Sequence, residues 1–270
     1  MIRFEGASKV YRDGTVAVGG VSFEVPAHTT TALLGPSGAG KTTLLRMVNR
    51  MIEPSSGSVL IDDVNVASVD PVQLRRSIGY VLQAGGLMPH RTVLDNVASV
   101  PRLRGESAAS SRNRAEEMLA LVGLEPRLGN RYPDELSGGQ QQRVGVARAL
   151  AGDPNVLLMD EPFGAVDPIV RRELQDELKR LQAELGKTIL LVTHDVDEAL
   201  ALGDEIVILR TGGSIAQRAT PTELLLHPAD DFVASFIGAG NPARSLSLRE
   251  EHGARLVFDA SGRVIGTVDR

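Results

Sequence analysis

The sequence predicts an α/β protein built on a mainly parallel sheet, and three observations carry that prediction. Short, continuous apolar runs recur, among them Val156–Met159 and Ile189–Val192. Such runs are expected of parallel strands covered on both faces. Strands alternate with amphipathic helices, the pattern of βαβ units. One early strand runs directly into a glycine-rich turn and then a helical stretch.

Taken in order, residues 1–80 read as short strands with turns. Thr31–Leu34 ends an apolar strand, and the helical stretch after its glycine-rich turn spans Thr42–Ile52. Ser77–Leu82 reads as a further strand. A mainly helical block follows over residues 84–150, with Ala115, Met118, Leu119 and Val122 at helical spacing, and looks like an insertion into the sheet. After Pro168 a helix carries Leu174, Leu178, Leu181 and Leu185 on one stripe. Gly186 ends it, and Thr188–Thr193 follows as a buried strand. Gly212-Gly213 marks a hairpin turn between Ile206–Leu209 and Ser214–Ala219. Short helices are expected from Pro221 and near Phe232–Ile237, then a linker over Gly238–Pro242. Ala254–Asp269 reads as strand, Ser-Gly turn, strand, an element too small to stand alone. The domain division expected is therefore 1–238 and 239–270.

Composition narrows the function classes. The chain has 270 residues, 42% hydrophobic and 23% charged, enough for a sizeable core without cross-links. It contains no cysteine, which excludes disulfides and thiolate metal sites. Net charge is −5, a balance that argues against nucleic-acid binding. Residues 84–150 carry nine Arg, no Lys and seven acids, which reads as a solvated face. No run approaches the ~18 apolar residues needed to cross a bilayer. The N-terminus has no apolar h-region, so no signal peptide is expected.

The chemistry gathers at strand ends. Gly35-Pro36-Ser37-Gly38-Ala39-Gly40-Lys41-Thr42 matches the phosphate-binding pattern G-x-x-x-x-G-K-[ST], with a strand before it and a helix after it. Its glycines let backbone N–H groups turn toward phosphate oxygens, and the new helix adds its positive end. Lys41 is expected on the β- and γ-phosphates, and the Thr42 hydroxyl on Mg²⁺. Thr43 completes the nucleotide-binding set. Val156-Leu-Leu-Met-Asp160-Glu161 is an apolar strand ending in two carboxylates, the place where open α/β sheets bind ligands. Asp160 is placed to hold Mg²⁺, and Glu161 to act as general base toward water. His28, His90, His227 and His252 show no ligand spacing and read as structural.

With these motifs stands Leu136-Ser137-Gly138-Gly139-Gln140, which resembles the signature sequence of ABC-type ATPases, 20 residues before Asp160. The resemblance covers residues 2–238. It implies a P-loop NTPase core, an N-terminal antiparallel β subdomain and an inserted α-helical signature subdomain. It also implies a head-to-tail dimer in which each ATP lies between the phosphate loop of one copy and Ser137, Gly138, Gly139 and Gln140 of the other. Further residues take family roles by likeness. Gln83 resembles the glutamine that senses Mg²⁺ and the γ-phosphate. Asp167, in Ala165-Val166-Asp167, resembles a dimer-contact turn, although the family more often has Leu at the position of Val166. His194 resembles the switch histidine, and Tyr11 the aromatic that stacks on adenine.

Ile78-Gly-Tyr-Val-Leu-Gln83, Gly86-Leu-Met-Pro-His90, Asn96-Val97, Val100-Pro-Arg-Leu103 and Phe163-Gly-Ala-Val-Asp-Pro168 are similar to importers of glycine betaine, choline or carnitine. That likeness implies ATP and Mg²⁺, a second ATPase subunit, membrane-spanning permease subunits, a solute-binding protein, and a place on the cytoplasmic face of the membrane. The tail from Arg255 to Asp269 resembles one strand pair of a CBS regulatory module, and a plain C-terminal hairpin is the alternative. Other readings stay open: an importer of amino acids or polyamines, or a soluble ABC ATPase in translation or repair. The latter usually has two ATPase domains or long coiled coils, whereas Asp160 stands 119 positions after Lys41 with no sustained heptads between them. A non-hydrolysing nucleotide-binding module would lack Glu161 or His194.

Overall fold

A computed structural model describes residues 1–164, 166–239, 246–251, 254–259 and 261–268. The chain packs as two compact units, Met1–Pro221 and Thr222–Arg270, a division upstream of the one expected at residue 238.

In the first unit, β1 (Ile2–Val10), β2 (Val16–Val25), β4 (Ser56–Ile61) and β5 (Val64–Asn65) form an antiparallel sheet in the order β2-β1-β4-β5. β3 (Thr30–Leu34) starts the second sheet and leads through the phosphate loop into α1 (Lys41–Val48). After α2 (Pro71–Ser77) come β6 (Ile78–Val81), then α3 (Val93–Leu103), α4 (Ala108–Leu121) and α5 (Gly138–Ala151). The chain re-enters the sheet at β7 (Val156–Asp160), crosses α6 (Pro168–Leu185) to β8 (Thr188–Val192), and crosses α7 (Val196–Leu202) to the hairpin β9 (Glu205–Leu209) and β10 (Ile215–Ala219). The sheet order is β10-β9-β3-β8-β7-β6, with every pair parallel except β10 with β9.

Strand alternation divides the core. Leu33, Leu158, Leu190 and Val207 face α1 and the antiparallel sheet, where Phe4 and Phe23 stack at 4.5 Å. Leu157, Met159, Ile189 and Leu191 face the other way, into a cluster with Val97, Met118 and Leu119 of the helical block and Leu174, Leu178 and Leu181 of α6. The block over 84–150 is thus anchored to one face of the sheet by apolar burial.

Some expected boundaries move for local reasons. α1 stops at Val48, before the expected Ile52, because Asn49 caps it and Arg50 takes a positive φ of 53°. Ser77 belongs to α2, which Asp70 caps with Pro71 in the first turn, so the strand begins at Ile78. Leu82 lies beyond that strand. α6 ends as expected at Gly186, whose φ is 58°.

The division falls after the first residue of α8 (Pro221–Leu226), a helix that begins at Pro221 as expected, and the second unit also carries α9 (Asp231–Ile237). It also holds β11 (Ser247–Glu251), β12 (Ala254–Phe258) and β13 (Val264–Val268), paired antiparallel in that order. The expected hairpin is β12 with β13. β11 is an addition that its run of charge, Arg249-Glu250-Glu251, had hidden. The linker expected over 238–242 falls partly outside the described residues.

Candidate functional site

Parallel registry builds the site. Leu33 and Asp160 both pair with Val192, so the chain leaves β3, β7 and β8 at one edge of the sheet. The phosphate loop, Glu161 and His194 therefore emerge together, from three segments far apart in sequence. They line a cleft of about 690 Å³ formed by residues 37–43 with Tyr11, Glu161 and His194. Thr15, Val16 and Ala17 complete its wall and were not foreseen.

The loop's course is dictated by glycine. Gly40 has φ 85°, and a Cβ there would lie 2.2 Å from the Ala17 carbonyl oxygen. Gly40 also gives α1 a start without a side-chain cap, so the helix end faces the cleft with its N–H groups toward any bound anion. Lys41 is 7% exposed, and its Nζ donates to the carbonyls of Gly35 (2.7 Å) and Pro36 (3.0 Å). Burial lowers its pKa, against the opposing pull of Glu161 and Asp160.

Asp160 sits among three partners. Thr42 Oγ1 donates to its Oδ1 at 2.9 Å, Tyr80 donates to its Oδ2 at 3.4 Å, and Arg46 lies 3.7 Å from the same oxygen. Burial and the Asp160 charge push the Tyr80 phenol pKa up. A hydroxyl and a carboxylate held side by side are hard oxygen donors, and this set fits Mg²⁺. Arg46 and Tyr80 escaped the sequence reading. Arg46 could have been found, since it stands one helical turn after Thr42.

Glu161 leaves the strand in the left-handed region, at φ 47°, and its N–H donates to the Val192 carbonyl at 2.9 Å. A non-glycine residue there is strained, and such strain clusters at functional sites. The turn brings Glu161 Oε2 to 3.2 Å from His194 Nδ1. Gln83 is close as well: a Cβ on Gly164 would come within 3.3 Å of Gln83 Nε2 and 3.7 Å of Glu161 Oε2.

Ser137, Gly138, Gly139 and Gln140 begin α5 and are not part of the cleft wall. Ser137 Oγ accepts from the Gln140 N–H (3.3 Å), and Gln140 Oε1 accepts from the Ser137 N–H (3.0 Å), a closed capping box. Ser137 and Gly138 are exposed. Gly139 is buried where a Cβ would meet Val170 Cγ1 at 2.5 Å, so glycine lets α5 approach α6. Asp167 is exposed and caps α6 through the Ile169 N–H.

A second group was not anticipated. Glu198 on α7 is 4% exposed and accepts from Thr193 Oγ1 at 3.1 Å. Burial raises its pKa to about 7.

The family model for ABC transporters matches residues 18–164. Over 238 residues the chain is 52% identical to the glycine betaine/carnitine/choline transport ATP-binding protein of Bacillus subtilis, covering 88% of this chain and 62% of that one. It is 51% identical to the osmoprotectant import ATP-binding protein of Salmonella typhimurium, over 92% of this chain and 66% of that one. The chain spans about three-fifths of the length of the curated relatives it matches most strongly. Among solved structures, a dimeric bacterial ABC transporter cassette superposes with a TM-score of 0.74 at 35% identity, over 82% of this chain and 99% of that one. The same cassette in a post-hydrolysis dimer bound to ADP and Pi superposes with the same TM-score. With its phosphate loop, acid-ended strand and glycine-rich helix start in one fold, this chain belongs to the ABC transporter family.

Proposed function

We propose that this chain is the ATP-binding and ATP-hydrolysing subunit of an ABC importer for a small quaternary-amine osmoprotectant. The observation that carries the hydrolytic part is the pairing of Glu161 with His194 at the mouth of the phosphate-loop cleft. The solute class rests on the relatives, whose names specify glycine betaine, carnitine, choline and osmoprotectants.

In this reading, backbone N–H groups of residues 38–43 and the Lys41 ammonium bind the phosphates. Tyr11, 41% exposed at the cleft wall, offers its ring to the adenine. Glu161 accepts the proton of the attacking water as its oxygen bonds to the γ-phosphorus. The bond from that phosphorus to the β–γ bridging oxygen breaks, and ADP carries away the electron pair. His194 donates a hydrogen bond to the γ-phosphate. Thr42, Asp160 and Gln83 would hold Mg²⁺, which supplies charge neutralisation at the phosphate oxygens. Gly35 and Pro36 hold Lys41 in place through their carbonyls.

The partner's signature residues 137–140 would close over the γ-phosphate, with Asp167 at the dimer contact. ATP then bridges two copies, and hydrolysis parts them, a two-state switch. Permease subunits would read that motion through the groove near Gln83, on the cytoplasmic face of the membrane, and an extracytoplasmic binding protein would deliver the solute. Among the described residues no helix is long and apolar enough to cross a membrane, which suits a subunit that relies on separate membrane partners. No nucleic acid enters this scheme.

The test is uptake by proteoliposomes holding this chain and its permease. Radiolabelled glycine betaine or choline should accumulate with ATP, and Glu161→Gln should slow both hydrolysis and uptake by at least about a hundredfold. Hydrolysis stimulated instead by an amino acid or a polyamine would overturn the solute assignment.

A further inference from the structure

The turn carrying Asp167 and the turn carrying His194 are joined by a polar cluster that the hydrolytic scheme does not use: Thr193 and Glu198 are buried, and the side chains of Arg171 and Asp195 are half-buried, 29% and 32% exposed. Arg171 lies on the first turn of α6, four residues after Asp167. Its Nη2 donates to the Val166 carbonyl at 3.3 Å, and its Nη1 to Asp195 Oδ2 at 3.2 Å. Asp195 in turn is fixed on every side. Its Oδ1 accepts from the N–H groups of Asp197 (2.9 Å) and Glu198 (3.1 Å), and its own N–H donates to Thr193 Oγ1 at 3.0 Å. His194 is therefore held between two residues of this cluster. Two of the cluster's buried polar atoms, Arg171 Nε and Glu198 Oε1, have no hydrogen-bond partner.

We propose that Arg171 is a positioning residue that transmits the state of the Asp167 turn to His194, and so makes hydrolysis at one site depend on closure of the dimer. The inference rests on the sandwich reading above, in which Asp167 meets the second copy. Its physical basis is the guanidinium fork. One planar group holds a backbone carbonyl beside Asp167 and the carboxylate beside His194 in fixed mutual geometry, which a lysine with a single point charge cannot do. With Arg171 Nε already unpartnered, a shift of Val166 that broke the Nη2 bond would leave the half-buried guanidinium held by Asp195 alone among the described residues. The turn therefore moves with Asp195 rather than independently of it. Asp195, Glu198 and Glu161 are the acidic groups that act on this cluster.

The experiment measures ATP hydrolysis against ATP concentration for the whole chain and for Arg171→Met and Arg171→Lys, together with binding of a fluorescent ATP analogue to the monomer. The wild-type Hill coefficient is expected near 2, the number of sites. Both variants should fall toward 1 with kcat down about tenfold, while analogue affinity stays within about twofold. An unchanged Hill coefficient and kcat in Arg171→Met would overturn the proposal, as would full rescue by Arg171→Lys. If Arg171→Met melts early, Asp195→Asn decides, because asparagine keeps the helix cap but not the charge. It should reproduce the loss of cooperativity, and normal cooperativity in it would overturn the link. In a Glu161→Gln background Arg171→Met should still dimerise with ATP. A wild type without cooperativity whose Glu161→Gln form stays monomeric in ATP would instead overturn the sandwich reading itself, and this inference with it.

Discussion

Two helix starts in this chain are rich in glycine, and they are finished differently. α1 begins at Gly40 with no side-chain cap, beside Lys41 and the acid pair at the end of β7. α5 begins at Ser137, inside a capping box that its own side chains close. The first start needs an anion to complete its hydrogen bonding. The second has two of its first N–H groups closed by its own side chains, yet it stays exposed and presents a serine whose hydroxyl proton is not consumed by accepting from Gln140. One half of the proposed site is thus assembled in this chain by sheet registry, and in the sandwich reading the other half is carried on the helical block for a second copy.

Removing the cation from the first start should have the largest effect. Lys41→Ala should weaken ATP binding by at least about a hundredfold, since the lost bonds are charge-assisted and buried. Calorimetric titration of the monomer checks this, and unchanged affinity would break the comparison by making α1 no more ligand-dependent than α5.

Why one start was so legible, and its surroundings less so, follows from range. Gly35 to Thr42, Asp160-Glu161 and Ser137 to Gln140 are contiguous runs that can be read as motifs, and the φ of 85° at Gly40 shows how local backbone geometry selects glycine in the first of them. The apolar runs of β3, β7 and β8 likewise announce burial on both faces. Tyr80 and Arg171 gain their meaning only from partners brought near by folding: Tyr80 meets Asp160 across 80 positions, and Arg171 meets Asp195 across 24. No periodicity marks such pairs. Helix ends were misjudged where a cap decided them, as at Asn49 and Asp70, and β11 was missed because its charges mask the strand pattern.

Next in size is a pH effect at the buried carboxyl of Glu198, behind the His194 turn, which sharpens the contrast with the exposed helix start at Ser137. Glu198 has its pKa raised from 4.5 to about 7, chiefly by burial. Between these values the folded chain keeps a proton that the unfolded chain has released. Stability from this group therefore falls as pH rises from 4.5 to 7 and is level above that window. The full penalty is about 3 kcal/mol. Glu198→Gln should flatten that slope in denaturant titrations run at several pH values, and a slope unchanged by the substitution would place the titrating group elsewhere.

The smallest effect is expected at the second start. Ser137→Ala removes one cap and should cost about 1 kcal/mol of stability, with ATP affinity of the monomer unaltered and hydrolysis reduced. Thermal melts and binding on the same sample check it. A drop in monomer affinity would mean that Ser137 reaches the nucleotide within its own chain.

The central claim is that each nucleotide is enclosed by two copies, and the chain's lack of cysteine makes it directly testable. Ser37→Cys and Ser137→Cys, combined in a Glu161→Gln background, place one thiol at the phosphate loop and one at the signature turn. A short bifunctional maleimide should link them between chains, giving a covalent dimer on a denaturing gel with Mg-ATP and little without it. Cross-linking that is intramolecular, or equally strong without nucleotide, would contradict the account.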